Sequence, residues 1–371
     1  MSGSNPVSLY VHVPFCRSIC HYCDFRRQIY RKETARAWLD AVEAELKETP
    51  HAASLETIYI GGGTPSALED EELARLFSLL SPWAEHVKEY TMEINPETMR
   101  RPLGKLLRDY GINRISAGLQ SASPRLLKRM NRRAGKEETE AMAKMLREYG
   151  IDNLSLDLMY SMPDETIDDL SESIDFAVSL SPAHLSLYSL TIEENSVFGK
   201  QGVKAQEEDI EADRYEYIVR RLQELGYQQY EISNFAHPGK ESIHNVNVWN
   251  YHDFIGIGYG AHGKDGDHRY THADSLRAYL SDPLYRKVTP LTREEQMFES
   301  LMMGMRLKCG MDRHLFQERF GKDVTEVYPR TIEKERKLGM IALSDDYLFC
   351  SDRGYFLLNS VLEEFLEEAD L

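Results

Sequence analysis

The chain holds few cysteines, five in 371 residues, and the number is odd. With no secretory leader ahead of them, an odd count argues against a disulfide framework. No run approaches the roughly 18 consecutive apolar residues of a membrane span, and the stretch Met1–Pro6 is short and polar. A cytoplasmic address is expected. Basic charge is scarce as well: 44 Lys and Arg stand against 61 Asp and Glu, a formal net charge of −17. Lys and Arg contacts to phosphate supply most non-specific affinity for nucleic acid, so an RNA-modifying role is disfavoured. A local basic run, Arg125–Arg133 (RLLKRMNRR), reads as a solvated helix face.

The few cysteines are not scattered. Cys16, Cys20 and Cys23 fall in one run, CRSICHYCDF, at spacing C-x3-C-x2-C. Thiolate sulfur is the usual ligand of iron–sulfur clusters, and three thiolates on a [4Fe-4S] cube leave one iron open to a substrate or cofactor. A structural zinc site would need a fourth ligand, for which His12, His21 or Asp24 are at hand, but the usual zinc pattern pairs two close ligands with a second distant pair. No second pair exists. Cys309 and Cys350 are isolated and read as small buried hydrophobes.

Six short β-branched or aromatic runs alternate with helical patterns: Ser8–Phe15, Thr57–Gly62, Tyr90–Pro96, Arg114–Gln120, Asn153–Tyr160 and His184–Leu190. This predicts βα units on a parallel sheet, hence an α/β fold. Ala35, Trp38, Leu39, Val42 and Leu46 form an apolar helical stripe, as do Leu73, Leu76, Phe77 and Leu80, with Ser66 and Glu69 fitting a capping box ahead of them. Ile167, Leu170, Ile174 and Val178 repeat the pattern. Past residue 290 the pattern changes. Helices are expected over Glu294–Leu307, Asp312–Phe320, Thr331–Leu338 and from Ser360, with paired strands over Met340–Leu358 turning near Asp352-Arg353-Gly354. The run Gly256-x-Gly258-x-Gly260 has no clear βαβ helix after it and reads as a turn.

Gly61-Gly62-Gly63-Thr64-Pro65 follows the apolar run Ile58-Tyr59-Ile60, at the carboxyl end of the second expected strand, where barrel sites lie. Glycines let backbone approach a ligand closely.

The cysteine loop resembles that of the radical S-adenosylmethionine (SAM) enzymes, in the branch of oxygen-independent coproporphyrinogen III oxidase and its HemW-like heme-chaperone relatives. The resemblance implies a partial (β/α)6 TIM-like barrel over residues 1–240, a connecting segment over 241–290 and a smaller HemN-like, winged-helix-like α+β domain over 291–371. It also implies that the open iron takes the methionine end of SAM. Gly62, Gly63 and Thr64 match the binding loop for that end. Tyr10, Tyr22, Glu93, Gln120, Arg132 and Asp157 match further SAM-contacting positions, Glu93 being suited to the ribose hydroxyls. In the oxidase the counterparts of Tyr22 and Arg132 touch a second SAM.

Two departures separate the chain from the oxidase. Its motif continues C-x3-C-x2-C-x-C, whereas Phe25 stands at the last position here, and Cys16 arrives after only fifteen residues. Both match the chaperone relatives. The segment His244-Asn245-Val246-Asn247-Val248-Trp249 resembles their H-N-x-x-Y-W heme-binding pattern, with Val248 in place of the Tyr, and neutral imidazole is a common heme ligand. The expectation is a HemW-like protein with a [4Fe-4S] cluster, SAM and heme, delivering heme to an acceptor protein. The alternative is an oxidoreductase that decarboxylates coproporphyrinogen III.

Overall fold

The computed structural model describes residues 7–50 and 55–369; the polar stretch Met1–Pro6 lies outside the described residues. Strand β1 (Ser8–Val13) leads into a small parallel pair, β2 (Phe15–Cys16) with β3 (Gln28–Ile29), that brackets the cysteine loop. Then follow α1 (Lys32–Glu48), β4 (Thr57–Gly62), α2 (Asp70–Leu80), β5 (Glu89–Ile94), α3 (Arg101–Asp109) and β6 (Arg114–Gln120). The series goes on with α4 (Pro124–Arg129), α5 (Lys136–Glu148), β7 (Asn153–Tyr160), α6 (Ile167–Ser179) and β8 (His184–Ser189). All six expected strands are present, and they pair in parallel in chain order, β1-β4-β5-β6-β7-β8.

Alternation along these strands separates core from site. Leu9, Val11, Ile58, Ile60, Met92, Ile115, Ala117, Leu156 and Leu185 are fully buried in one hydrophobic core with the stripes of α1 and α2. The alternate residues Tyr59, Glu93, Ser116, Asp157 and Ser186 line an interior cavity. The helices follow their stripes with local exceptions. In α6 Ile167 is exposed at 48%, because it stands at the first helical position, whereas Leu170 and Ile174 are buried. The expected capping box of Ser66 and Glu69 shifts by one turn: Pro65–Ala67 forms a 3₁₀ turn, and Glu69 itself caps α2, its N–H donating to Glu72 Oε2 at 2.9 Å.

The sheet is longer than six strands. After α7 (Val197–Lys200) and α8 (Glu208–Glu224), the short strands β9 (Gln228–Gln229) and β10 (Asn234–Ala236) add antiparallel beyond β8. Helix α9 (Ile243–Trp249) then leads to β11 (Phe254–Ile257), which pairs in parallel with the outer side of β1. Strands β12 (His262–Asp265), β13 (His268–Thr271) and, after α10 (Leu276–Ser281), β14 (Lys287–Pro290) continue it antiparallel. The result is a mixed twelve-stranded sheet whose edges are β14 and β9, so the curved sheet is not closed into a barrel. Residues 241–290 thus continue the sheet across the expected boundary at residue 240, and Gly256 lies on β11 while Gly258 and Gly260 turn at positive φ. The extension is fastened to α1 by Glu45, wholly buried, which accepts from Tyr279 Oη at 2.6 Å and the Gly258 N–H at 3.1 Å and lies 2.6 Å from His272 Nε2.

The carboxyl-terminal part, α11 (Arg293–Gly304), β15 (Met311–Asp312), α12 (Arg313–Phe320), α13 (Val324–Val327), α14 (Pro329–Lys337), β16 (Ile341–Leu343), β17 (Tyr347–Cys350), α15 (Asp352–Phe356) and α16 (Leu358–Ala369), has its own core around Leu301, Phe316, Tyr328 and Phe365. The expected turn at Asp352-Arg353-Gly354 is instead the start of α15, capped by Ser351 Oγ accepting from the Gly354 N–H at 3.1 Å. The strands β16 and β17 reverse earlier, at residues 344–346. No helix among the described residues is long and apolar enough to cross a membrane.

Candidate functional site

The carboxyl ends of β4, β5, β6, β7 and β8 open on a cavity of about 420 Å³. Cys16, Cys20, Tyr22, Cys23, Gly62, Gly63, Thr64, Glu93, Gln120, Arg132 and Asp157 all line it. Tyr10 and His244 are not in that lining. Tyr10 Oη contacts His12 Nδ1 at 3.0 Å, its ring 6.1 Å from Tyr59. His244 is buried on α9, its Nδ1 2.8 Å from Thr57 Oγ1 at the start of β4.

The cysteine loop is shaped by its neighbours. Cys16 is buried at the β2–β3 pair, with Thr64 Oγ1 3.6 Å from its sulfur, and Cys20 and Cys23 are half-buried on a turn closed by the Cys23 N–H to the Cys20 carbonyl at 3.3 Å. Burial pushes the Cys16 thiol up and the Cys23 thiol to about 11, against the pull of Arg27 on both and of Arg132 on Cys16. These thiols hold their protons until a metal displaces them. Among the described residues no three His, Cys, Asp or Glu side chains converge as around a single ion. A cube-shaped cluster takes its thiolates at separate corners. The donor set of three thiols, with Arg27 bonded to the Cys23 carbonyl and Arg132 Nη1 3.8 Å from Cys20 Sγ, fits a thiolate-bound cluster of net negative charge.

The glycine loop is locked against that segment. The Gly63 N–H donates to the Val13 carbonyl at 2.8 Å and the Thr64 N–H to the Phe15 carbonyl at 2.7 Å. A Cβ at Gly63 would meet the Phe15 oxygen at 2.8 Å, and Gly62 sits at φ +109°. The close approach that requires glycine is therefore first an approach to the cysteine segment's own backbone.

Glu93 accepts from Tyr59 Oη at 2.8 Å and from the Gly62 N–H at 3.0 Å, and burial pushes its carboxyl up to about 7. Asp157 accepts from Ser116 Oγ at 3.1 Å and is pushed up to about 6, again by burial. Gln120 ends β6 in the left-handed region at φ +67°, beside an irregularity in the β6–β7 register. Such a backbone is unfavourable for a non-glycine residue and turns its side chain out of the strand's alternation. Arg132 donates to Asn95 Oδ1 at 3.0 Å and to the Gly118 carbonyl.

Sequence reasoning missed part of the lining. Arg114, Ser116, Ser155, His184 and Ser186 form the polar inner wall, and Asn95 stands beside Arg132. His184 Nδ1 lies 2.8 Å from Ser155 Oγ and Nε2 2.8 Å from Tyr230 Oη, and burial holds its ring neutral. Small hydroxyl residues where a closed barrel packs branched aliphatic ones were the available signal.

The radical SAM superfamily model matches residues 10–177 and the HemN C-terminal domain model matches residues 291–357. The solved coproporphyrinogen III oxidase HemN of Escherichia coli shares the fold at a TM-score of 0.85, with 22% identity over 98% of this chain and 90% of that one. The fold and the two family models mark a radical SAM protein with a HemN C-terminal domain. Proteins named heme chaperone HemW are similar along their whole length: that of Bacillus subtilis is 34% identical over 97% of this chain and 99% of its own, and that of Escherichia coli 34% identical over 98% and 99%. The chain belongs to the HemW family.

Proposed function

We propose that this chain holds a [4Fe-4S] cluster on Cys16, Cys20 and Cys23, binds SAM in the adjoining cavity and, in the cytoplasm, carries heme for delivery to an acceptor protein. The observation that carries the reading is the three-thiol loop opening on a polar cavity, in a chain similar from end to end to proteins named heme chaperones. When bound, the cluster supplies a one-electron reductant and a vacant iron for the methionine end of SAM.

The chain's own residues then divide the work. Gly62, Gly63 and Thr64 offer close backbone and a hydroxyl to the methionine end, and the ionised Glu93 accepts from ribose hydroxyls. Gln120, Asp157 and Tyr22 complete a polar and aromatic rim, and Arg132 offsets the negative charge of the thiolates. Tyr10 acts through Tyr59 and His12, beneath that rim. The sequence's candidate for heme iron, His244, takes no part in this arrangement of α9. Its ring now serves the core beside Tyr59, at 5.0 Å, so ligation requires α9 to swing away.

A second reading is SAM-dependent oxidative decarboxylation of coproporphyrinogen III, for which the cavity wall offers the buried Arg114, a cation already held by Glu89 at 3.9 Å and by Asn153 Oδ1 at 3.0 Å. Anaerobically reconstituted protein separates the two. Saturable hemin binding, with no protoporphyrinogen formed from coproporphyrinogen III, SAM and a reductant, is the expected result; porphyrinogen turnover without hemin binding overturns it.

A further inference from the structure

Asn95 follows β5 directly, and its backbone is tied down on both sides. Its N–H donates to Ser66 Oγ at 3.3 Å, and its carbonyl accepts from the Thr98 N–H at 2.9 Å and from Thr98 Oγ1 at 2.6 Å. The side chain lines the cavity between two residues that reach the thiols. On one side Arg132 Nη1 donates to Asn95 Oδ1 at 3.0 Å and lies 3.8 Å from Cys20 Sγ. On the other, Asn95 Nδ2 donates to Thr64 Oγ1 at 3.3 Å, and that hydroxyl lies 3.6 Å from Cys16 Sγ. A single amide thus joins the donors that face two of the three cysteines.

The chemistry of these groups fixes where each hydrogen points. A guanidinium has donors only, so the amide must turn its oxygen to Arg132. Its nitrogen then faces Thr64 and takes a lone pair of the hydroxyl. With Asn95 already the donor there, the hydroxyl's own proton is left for the Cys16 sulfur. Arg132 also donates to the Gly118 carbonyl, so its fork is held from a second direction while Nη1 stays beside Cys20. The third thiol, Cys23, is served by the backbone of Phe25 and does not depend on Asn95.

A neutral thiol accepts hydrogen bonds weakly, whereas a thiolate accepts charge-assisted ones, which are about twice as strong. Donors aimed at the sulfurs of an iron–sulfur cluster favour its more negative, reduced form and so raise its reduction potential. We propose that Asn95 is a positioning residue for the cluster: it aims the Thr64 hydroxyl at Cys16 and the Arg132 guanidinium at Cys20, and thereby raises the potential at which the cluster accepts its electron. The proposal rests on the cluster reading above. The role requires no contact between Asn95 and iron or SAM.

The test is a redox titration of anaerobically reconstituted full-length protein, without SAM, read by the paramagnetic signal of the reduced cluster. Asn95→Ala is expected to raise the oxidised-to-reduced ratio at a fixed potential at least threefold, a midpoint lowered by about 28 mV at about 59 mV per tenfold. Asn95→Asp keeps the size of the side chain, so a cavity does not account for its effect. Its carboxylate draws the Thr64 proton away from Cys16 and adds negative charge, and the expected change is at least tenfold in the same direction. In a Thr64→Val background Asn95→Ala is expected to shift the ratio less than it does in wild type, because one of its two routes is already gone. Iron and sulfide content is expected to be equal in all of these variants. Equal midpoints in wild type, Asn95→Ala and Asn95→Asp overturn the proposal, and SAM affinity lost at equal midpoints would make Asn95 a ligand contact instead. A wild-type sample with no paramagnetic signal at any potential removes the cluster itself, and the proposal with it.

Discussion

Nδ1 of His244 lies 2.8 Å from Oγ1 of Thr57, and that contact ties α9 to the first residue of β4. Gly62 ends the same strand at the cavity, whereas the imidazole lies toward the strand's start, its ring 5.0 Å from that of Tyr59. Thr57 Oγ1 donates to Ser8 Oγ at 2.9 Å, which makes His244 Nδ1–H the donor to Thr57 and leaves Nε2 as the unprotonated nitrogen. Burial holds the ring's pKa down to about 4. His244→Ala removes a buried ring and a hydrogen bond and is expected to cost about 2–3 kcal/mol, read by urea unfolding. Hemin affinity, measured where the variant is still folded, is expected to stay within about twofold of wild type. A tenfold loss with the fold intact would show that α9 opens to present Nε2 to heme.

The three cysteines give a separate prediction. Cys16→Ala, Cys20→Ala and Cys23→Ala are each expected to abolish the visible absorbance and the paramagnetic signal that follow anaerobic reconstitution with iron and sulfide and then reduction. Cys309→Ala, on the exposed surface, and Cys350→Ala, in the carboxyl-terminal core, are expected to retain both. Because burial raises the Cys16 and Cys23 thiols, protons compete with iron, and reconstitution is expected to slow as pH falls below neutral. A variant lacking Cys20 that still builds a stable cluster would break the three-ligand assignment.

Glu93 makes the stability of the unliganded protein depend on pH. Its carboxyl sits near 4.5 in an unfolded chain and about 7 in the fold, so the folded state binds the proton more tightly. A carboxyl raised in this direction leaves its contribution intact below pH 4.5, loses it as pH rises toward 7, and changes nothing further above. The loss amounts to about 3 kcal/mol, and Asp157 adds to it with the same sign. Unfolding midpoints are thus expected to fall from pH 5 to pH 8, with a shallower fall in Glu93→Gln. SAM affinity runs the other way, rising through pH 7 as the carboxylate becomes able to accept from ribose hydroxyls. Equal slopes in wild type and variant would show that Glu93 is not protonated in the fold.

The features legible in the sequence are those whose signal is local. Six strands could be read because β-branched alternation and turn residues lie within each run, and Thr57–Gly62, Arg114–Gln120 and Asn153–Tyr160 match residue for residue. The thiols and glycines were readable for the same reason, being spaced along one segment. What was not legible depends on residues brought together from afar. Glu45 sat unnoticed in the stripe of α1 because its partners, His272 and Tyr279, lie more than two hundred residues on. The extension through β14 carried no hydrophobic alternation, since every residue of Lys287–Pro290 is exposed. Arg114 and His184 reached the cavity through strand register alone, and the heme-like pattern at His244 said nothing of Thr57.

Gly63 tests whether the glycine loop serves the ligand directly or through the cysteine segment. A Cβ there meets backbone, the Phe15 oxygen at 2.8 Å, the Phe15 nitrogen at 2.9 Å and the Val13 oxygen at 2.9 Å, none of which is a flexible chain end. Gly63→Ala must therefore push Val13–Phe15 and the glycine loop apart, an overpacking expected to cost about 1–3 kcal/mol. Gly111 is the control. It lies at φ +75° with nothing within 4 Å of the place a Cβ would take, so Gly111→Ala suffers only the backbone penalty, about 1 kcal/mol, far from the site. If the two loops act as one clamp, Gly63→Ala lowers both cluster occupancy and SAM affinity at least tenfold, by iron analysis and equilibrium dialysis, while Gly111→Ala changes neither. Loss of SAM affinity at full cluster occupancy would place the role of Gly63 in ligand contact alone and separate the glycine loop from the thiol loop.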